Sequence, residues 1–513
     1  MLEPEAESAA PGPDQGPRQT GKTKGAILLS GVRFLSLAVN FLSVPFLLAI
    51  LGEGLYGGCL FAVMLSRYFW LMDPGFSDGA QLRMYQSHHE EDRAETARVW
   101  SNHISLAFAY SFLGALLLFA VGVAIPLKDF DSSRVALFGA AAVQFFFITL
   151  FNANQLLHST RRQFQVVSTL NALNGVGGMV SAVVLTAIFR TPEAYVLGLA
   201  VGSCAAVTYG MVHSVRSLPR EHIKFGIQTG LAREFLKVGW RNFPNRVGSV
   251  LSGTADRFLV TGTLGTVQNT HLNNSAKLSD ATNDLLGSLT QTSQPELASA
   301  AIQGDEAFGR ALERNGRIVL AVASSFVLVP AGFAAVILTV WLGQRQPPDG
   351  EILMLGAGVY GAFQALFSLI GAAFFVRGQA HRILPFVLWN GVTTLLATIP
   401  LTHWFGLAGV AYLKIGIQTL QWYPLLIYTQ RHIAPTLSAG KFFGVTASIF
   451  MIAGAFCGAG FLVSQALAER GLHWVGVLLM PIFVVLSLGT IFAVRLADLP
   501  APIKKLVRKF RPS

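Results

Sequence analysis

GVRFLSLAVNFLSVPFLLAILG, residues 31–52, is an apolar run in which Arg33, Ser36, Asn40 and Ser43 recur at spacings of three and four. A helix crossing the hydrocarbon core of a bilayer needs about 20 residues, and that spacing puts the four polar side chains on one stripe of such a helix. Shifted by 213 residues, the run lies over PNRVGSVLSGTADRFLVTGTLG, residues 244–265. Arg33 then meets Arg246, Ser36 meets Ser249, Leu37 meets Val250, and Leu51-Gly52 meets Leu264-Gly265. The offset corresponds to about six membrane spans, so the two halves run parallel. Two six-helix lobes related by an axis along the membrane normal are a transporter architecture.

Composition agrees with this reading. The chain has 513 residues, of which 52% are hydrophobic and 13% charged, against about a quarter charged in soluble domains. Fourteen spans are expected, near 25–50, 54–82, 98–125, 135–157, 166–189, 193–215, 234–262, 267–296, 318–342, 352–376, 383–402, 407–429, 442–466 and 474–494. The expected fold is an all-α polytopic membrane protein, with an N-lobe over 25–216, a cytoplasmic linker over 217–233 and a C-lobe over 234–430. Two further helices occupy 441–495, flanked by a disordered tail over 1–24 and a basic tail over 496–513. Residues 1–24 contain no apolar core, so they do not read as a signal peptide. Cys59, Cys204 and Cys457 lie far apart in apolar stretches, without metal or redox spacing.

The basic residues set the orientation. Of 38 Lys and Arg, 26 fall at one side of the proposed spans, 5 at the other and 7 inside them. Cytoplasmic loops carry the excess, so both termini are expected inside. The net charge of +11 is then mostly loop charge, and Lys504, Lys505, Arg508, Lys509 and Arg511 suit anionic headgroups. There is no nucleic-acid signal. A phosphate loop ending in Lys-Ser or Lys-Thr is missing, so ATP hydrolysis is not expected on this chain. The loops are too short for the large outward domains of membrane glycosyltransferases.

Charge inside a span is unfavourable and marks a cavity or a partner. Arg33, Arg67, Arg241, Arg246, Arg257, Lys277 and Lys414 are the seven intramembrane cations, read as a cationic cavity that binds substrate. Asp73, Asp78, Asp256, Asp280 and Asp284 are the carboxylates read as coupling or gating groups, and Asn40, Asn245, Asn273 and Gln418 as polar lining. The bland alternative is that these residues pair helices together, as polar side chains do in bundles. Guanidinium forks match phosphate oxygens, so the excess of cations points to a diphosphate-bearing substrate rather than a cation. His103 is a lone histidine, more consistent with a hydrogen-bonded packing role than with a proton relay. His88 and His89 lack metal-ligand spacing. Asn171 and Asn174 read as packing or cavity residues, and Trp70, Trp341, Trp404 and Trp474 as interface anchors.

Leu51-Gly52 followed by Tyr56-Gly57, then LMDPGFSDGAQLR at 71–83, resembles the opening of Wzx-type polysaccharide flippases of the multidrug/oligosaccharidyl-lipid/polysaccharide exporter superfamily. ADRFLVTGTLG at 255–265, AKL at 276–278 and QPELA at 294–298 resemble the matching segment of the second lobe. Pro74 and the polar stretch NTHLNNSAKL at 269–278 depart from the usual pattern. The resemblance implies a glycan on an undecaprenyl diphosphate carrier, turned from the cytoplasmic to the periplasmic leaflet by alternating access of two lobes. It also implies no catalysis, no cofactor beyond a coupling ion (H+ or Na+), and polysaccharide polymerase or assembly proteins as partners. It marks the Asp73–Asp78 segment and Asp256-Arg257 as family features. A cation-coupled drug exporter of the same fold would want an acidic or aromatic cavity, and a membrane-embedded glycosyltransferase or polymerase would want an outward loop; the arginines and the short loops argue against each.

Overall fold

The computed structural model describes residues 18–494 apart from 90, 91, 129, 131 and 162, with side chains described from residue 31 and not at 88, 89, 278, 281–292, 294 and 295. The expected tails before residue 18 and after residue 494 lie outside the described residues. Regular structure among the described residues is helical throughout. The helices are α1 (Arg18–Phe69), α2 (Phe76–His89), α3 (Arg93–Ala124), α4 (Arg134–Thr160), α5 (Phe164–Asn171), α6 (Gly178–Phe189), α7 (Pro192–Ser217), α8 (Thr229–Gly239) and α9 (Phe243–Leu264). They continue as α10 (Thr266–Gln303), α11 (Asp305–Ala323), α12 (Val329–Ala331), α13 (Ala334–Leu342), α14 (Gly350–Val376), α15 (Leu384–Phe405), α16 (Ala408–His432), α17 (Ala439–Glu469) and α18 (His473–Ala493).

α1 holds two spans. Ser36 and Met64 line a single cavity of about 330 Å3, whereas an unbroken helix would hold them about 42 Å apart. The chain reverses between them at Gly52, with φ 76° and ψ 172°, a conformation open essentially to glycine alone. Gly265, between α9 and α10, has φ 103° and ψ 175°. The two positions that the repeat aligns therefore make the same backbone reversal.

Among the described residues, nine helices are long and apolar enough to cross a membrane, or ten with the bent pair Asp305–Ala331 and Ala334–Arg345, whose two parts meet at 67°. α9, α10 and α16 fall outside that set because they carry Asp256, Arg257, Asn273, Lys277, Asp280 and Lys414. With these three, and with α1 divided at Gly52, each of the fourteen expected spans corresponds to a helix. The protein is thus a multi-pass membrane protein.

Two expected boundaries change. The second span, read as continuous over 54–82, stops at Met72, and α2 begins at Phe76. The Asp73 carboxylate produces the break: its Oδ1 accepts the N–H groups of Gly75 at 3.0 Å and Phe76 at 2.6 Å, meeting donors that open the new helix. The seventh span, read as 234–262, is two helices parted at Trp240–Asn242, with Pro244 in the first turn of α9. Proline suits that first turn, where its missing N–H would have no partner anyway.

α8 belongs to the linker and packs Leu231 and Phe235 into one apolar cluster with Ala80, Met84, Val99 and Trp100 of the N-lobe. A Cβ on Gly239 would lie 1.9 Å from the Gly75 carbonyl oxygen, so bare backbone is required where the linker meets the Asp73 turn. Another cluster joins α1, α4, α6 and α7 to α13 through Val44, Leu47, Phe138, Tyr195, Ala334 and Ile337, crossing from one lobe to the other. α17 and α18 pack on the outside of the C-lobe through Phe442, Ile449, Ile491 and partners on α11 and α14.

Candidate functional site

Both lobes contribute to the central cavity. Ser36, Asn40 and Phe41 reach it from the first half of α1, Met64 and Arg67 from the second half, and Met179, Tyr195 and Leu199 from α6 and α7. The C-lobe contributes Arg257 from α9 and Asn273, Lys277 and Asp280 from α10. Three cations and one carboxylate thus face about 330 Å3 of space. Asn40 Nδ2 donates to the Ser36 carbonyl at 2.9 Å, and Asn273 Nδ2 to the Asn269 carbonyl at 2.8 Å.

The Arg257 guanidinium is only partly engaged. Its Nη2 lies 2.7 Å from Asp280 Oδ2, while its buried Nε–H has no acceptor among the described residues. Asp280 keeps 51% of its side chain accessible, because it stands on the cavity wall. The neighbouring Asp256 is 1% exposed and pairs with Lys414 of α16 at 2.8 Å. Lys414 also stands over the Tyr360 ring at 5.2 Å. Asp256 and Lys414 are therefore a buried pair within the C-lobe rather than part of the cavity lining.

Arg246 also departs from the expected substrate-binding position. Its guanidinium bridges Asp73 at 2.9 Å and Asp78 at 3.0 Å, and it donates to the Asp73 carbonyl at 2.8 Å. Three acceptors from the N-lobe thus hold a cation from the C-lobe and link the lobes at the end where the basic loops lie. Arg241 is exposed in the turn between α8 and α9, away from the cavity. Arg33 is half-buried, lies outside the cavity lining, and has no ion-pair partner among the described residues. Asn245 Nδ2 donates to the Ala380 carbonyl at 3.1 Å, and Gln418 is buried; neither lines the cavity. The side chain of Asp284 lies outside the described residues.

At the opposite end the lobes are linked by residues outside the polar stripes expected from the sequence. Thr270 Oγ1 donates to the Glu53 carbonyl at 2.7 Å, and Asn269 Nδ2 to the Gly57 carbonyl at 3.2 Å. His271 Nε2 stands 3.2 Å from Glu53 Oε2. Lys128 Nζ donates to the Thr263 carbonyl at 3.1 Å. These contacts join the first reversal of the chain to its repeat-related counterpart, and the shared Leu-Gly motif was the signal that could have found them. Trp341, expected as an interface anchor, instead stacks on Phe41 at 4.0 Å and donates its indole N–H to the Phe41 carbonyl at 2.9 Å.

His103 is fully buried, and neither ring nitrogen has a hydrogen-bond partner among the described residues. Asn171 accepts from Gln155 at 3.1 Å, and Asn174 accepts from Ser203 at 2.8 Å, so both join helices within the N-lobe.

A cationic cavity lined by both six-helix lobes, with inter-lobe contacts towards either end, is an arrangement suited to a transporter. A family model for polysaccharide biosynthesis proteins matches residues 60–345. The chain belongs to this polysaccharide biosynthesis protein family. No curated protein matches the sequence. Among solved structures, this polysaccharide biosynthesis protein is similar to the lipid II flippase MurJ in an inward closed conformation, at 15% identity and a TM-score of 0.64, over 89% of this chain and 98% of that one. It is also similar to an outward-facing multidrug resistance MATE family transporter of the MOP superfamily, at 14% identity and a TM-score of 0.56, over 81% of this chain and 96% of that one. A third similar structure is a MOP superfamily transporter from Pyrococcus furiosus, described by the reverse polarity of its binding pocket, at 13% identity and a TM-score of 0.54 over 80% and 96% of the two chains. The fold is that of the MOP superfamily.

Proposed function

We propose that this protein turns a lipid-linked oligosaccharide, held on an undecaprenyl diphosphate carrier, from the cytoplasmic to the periplasmic leaflet of a bacterial inner membrane. The observation that carries the proposal is the lining of the central cavity: among the described residues, Arg67, Arg257 and Lys277 stand against one carboxylate, Asp280. Such a chamber favours an anion, and diphosphate oxygens match the guanidinium fork in a way a cationic drug does not. Membership of a polysaccharide biosynthesis family supports a glycan cargo.

The two closures supply the mechanism. Parting Arg246 from Asp73 and Asp78 opens the cavity to the cytoplasmic side, where both termini are proposed to lie. Parting Trp341 from Phe41, and Glu53 from Thr270 and His271, opens it to the other. A coupling ion, H+ or Na+, would act on carboxylates that hold the lobes together, and a polymerase would receive the product. Depletion of the protein tests the reading: lipid-linked glycan should accumulate on the cytoplasmic face of the membrane. Normal export in the depleted strain would remove the proposal.

A further inference from the structure

We propose that Asp280 is a resident anion that holds the place of the substrate phosphate on Arg257, an inference that rests on the diphosphate reading of the cavity. The geometry of the pair motivates it. A guanidinium presents five N–H donors in a fixed fork, and a well-placed oxyanion engages two of them in parallel. Arg257 receives less than this: Asp280 meets Nη2 at 2.7 Å, while the buried Nε–H has no acceptor among the described residues. A buried donor left without a partner is unfavourable, and a tetrahedral phosphate can place oxygens at both positions.

The surroundings of the two partners differ in the same sense. Arg257 is 11% exposed, so α9 and its neighbours hold it firmly, whereas Asp280 is 51% exposed and faces the cavity space. The cation is fixed and the carboxylate is the group with room to leave. By contrast, Asp256 is 1% exposed and lies against Lys414, so it has no comparable freedom. Without cargo, Asp280 is the carboxylate that meets the Arg257 guanidinium directly, and it lowers the cost of holding that cation in a low-dielectric site. With cargo, the phosphate takes the fork, and Asp280 turns into the hydrated space beside Lys277. Asp280 therefore sets how strongly the empty carrier resists binding of anions, and it sharpens selection for ligands that offer two oxygens at once.

The test uses the full chain in nanodiscs and measures binding of farnesyl diphosphate, with inorganic pyrophosphate as a competing arm. Asp280→Asn should tighten farnesyl diphosphate binding at least tenfold, and pyrophosphate should compete. In an Arg257→Gln background the same Asp280→Asn change should have no effect, because the contested donor is gone. Equal tightening in both backgrounds would make Asp280 a general source of negative potential and overturn the inference while sparing the diphosphate reading. Unchanged affinity on Asp280→Asn would do likewise. Binding of neither ligand to the wild type and the variant would remove the diphosphate reading and the inference with it. Asp280→Ser, which also lacks the charge, serves as the parallel variant should the asparagine form not accumulate in the membrane.

Discussion

Trp341 donates its indole N–H at 2.9 Å to the carbonyl of Phe41, the one group in that turn of α1 whose helical partner is missing because Pro45 has no N–H. The 67° bend ahead of α13 brings the tryptophan to this position. A flaw in one helix is thus filled by a side chain from the other lobe, beside the cavity.

Trp341→Phe should keep the stacking and lose the hydrogen bond. A net hydrogen bond is worth about 1 kcal/mol, so the closed-to-open ratio on this side should fall about fivefold. The rate of cysteine labelling at position 40 from the external side reads that ratio. Pro45→Ala restores an intrahelical donor for Phe41, so the Trp341→Phe effect should shrink in that background. Additive effects of the two substitutions would show that the indole does not act through this carbonyl.

Arg246 makes the corresponding prediction at the other end. Arg246→Ala leaves Asp73, with a side chain 7% exposed, beside Asp78 without their shared cation. Breaking such a cluster by removing one partner is strongly destabilising, so reduced accumulation and raised cytoplasmic labelling at position 245 are expected together. Arg246→Lys keeps the charge but cannot reach both carboxylates through a planar fork, and it should restore accumulation more fully than closure. Wild-type labelling in the alanine variant would show that Arg246 does not close that side.

Much of this architecture was legible in the sequence. The apolar runs define helices, and the Leu-Gly repeat marks two reversals that prove to share one backbone geometry. The polar stripes of spans one, two and eight do meet at the cavity through Asn40, Arg67, Asn273, Lys277 and Asp280. The pairings were not legible. Arg246 finds Asp73 from 173 residues away, and helix periodicity orders neighbours within a span without saying which stripe meets which. Arg241 was misplaced because apolar residues surround it; Pro244, which opens a new helix, was the available sign that the span had not yet begun. The contact of Trp341 with Phe41 was not legible for a related reason, since the bend ahead of α13 leaves no trace in hydropathy.

Topology can be tested independently of mechanism. With both termini cytoplasmic, cysteines at 130 and 346 should react with an impermeant reagent from outside, and a cysteine at 220 only after permeabilisation. The asymmetry of 26 against 5 basic residues motivates this orientation. External reaction at 220 would invert it.

The buried pair of Asp256 and Lys414 separates packing from substrate binding within the C-lobe. Asp256 is 1% and Lys414 15% exposed, and their 2.8 Å contact ties α9 to α16 behind the cavity wall. Removing one member strands the other charge in low dielectric, at a cost of about 3–5 kcal/mol. Asp256→Asn or Lys414→Met should therefore lower the thermal midpoint of the purified protein markedly. Replacing both removes the stranded charge, and buried pairs exchanged for neutral groups are often close to neutral in stability. The double variant should accordingly recover most of the loss. Neither residue lines the cavity, and the double variant removes one charge of each sign, so farnesyl diphosphate affinity should change far less than in Arg257→Gln. A double variant that is stable yet has lost the ligand would move this pair from the scaffold into the binding site.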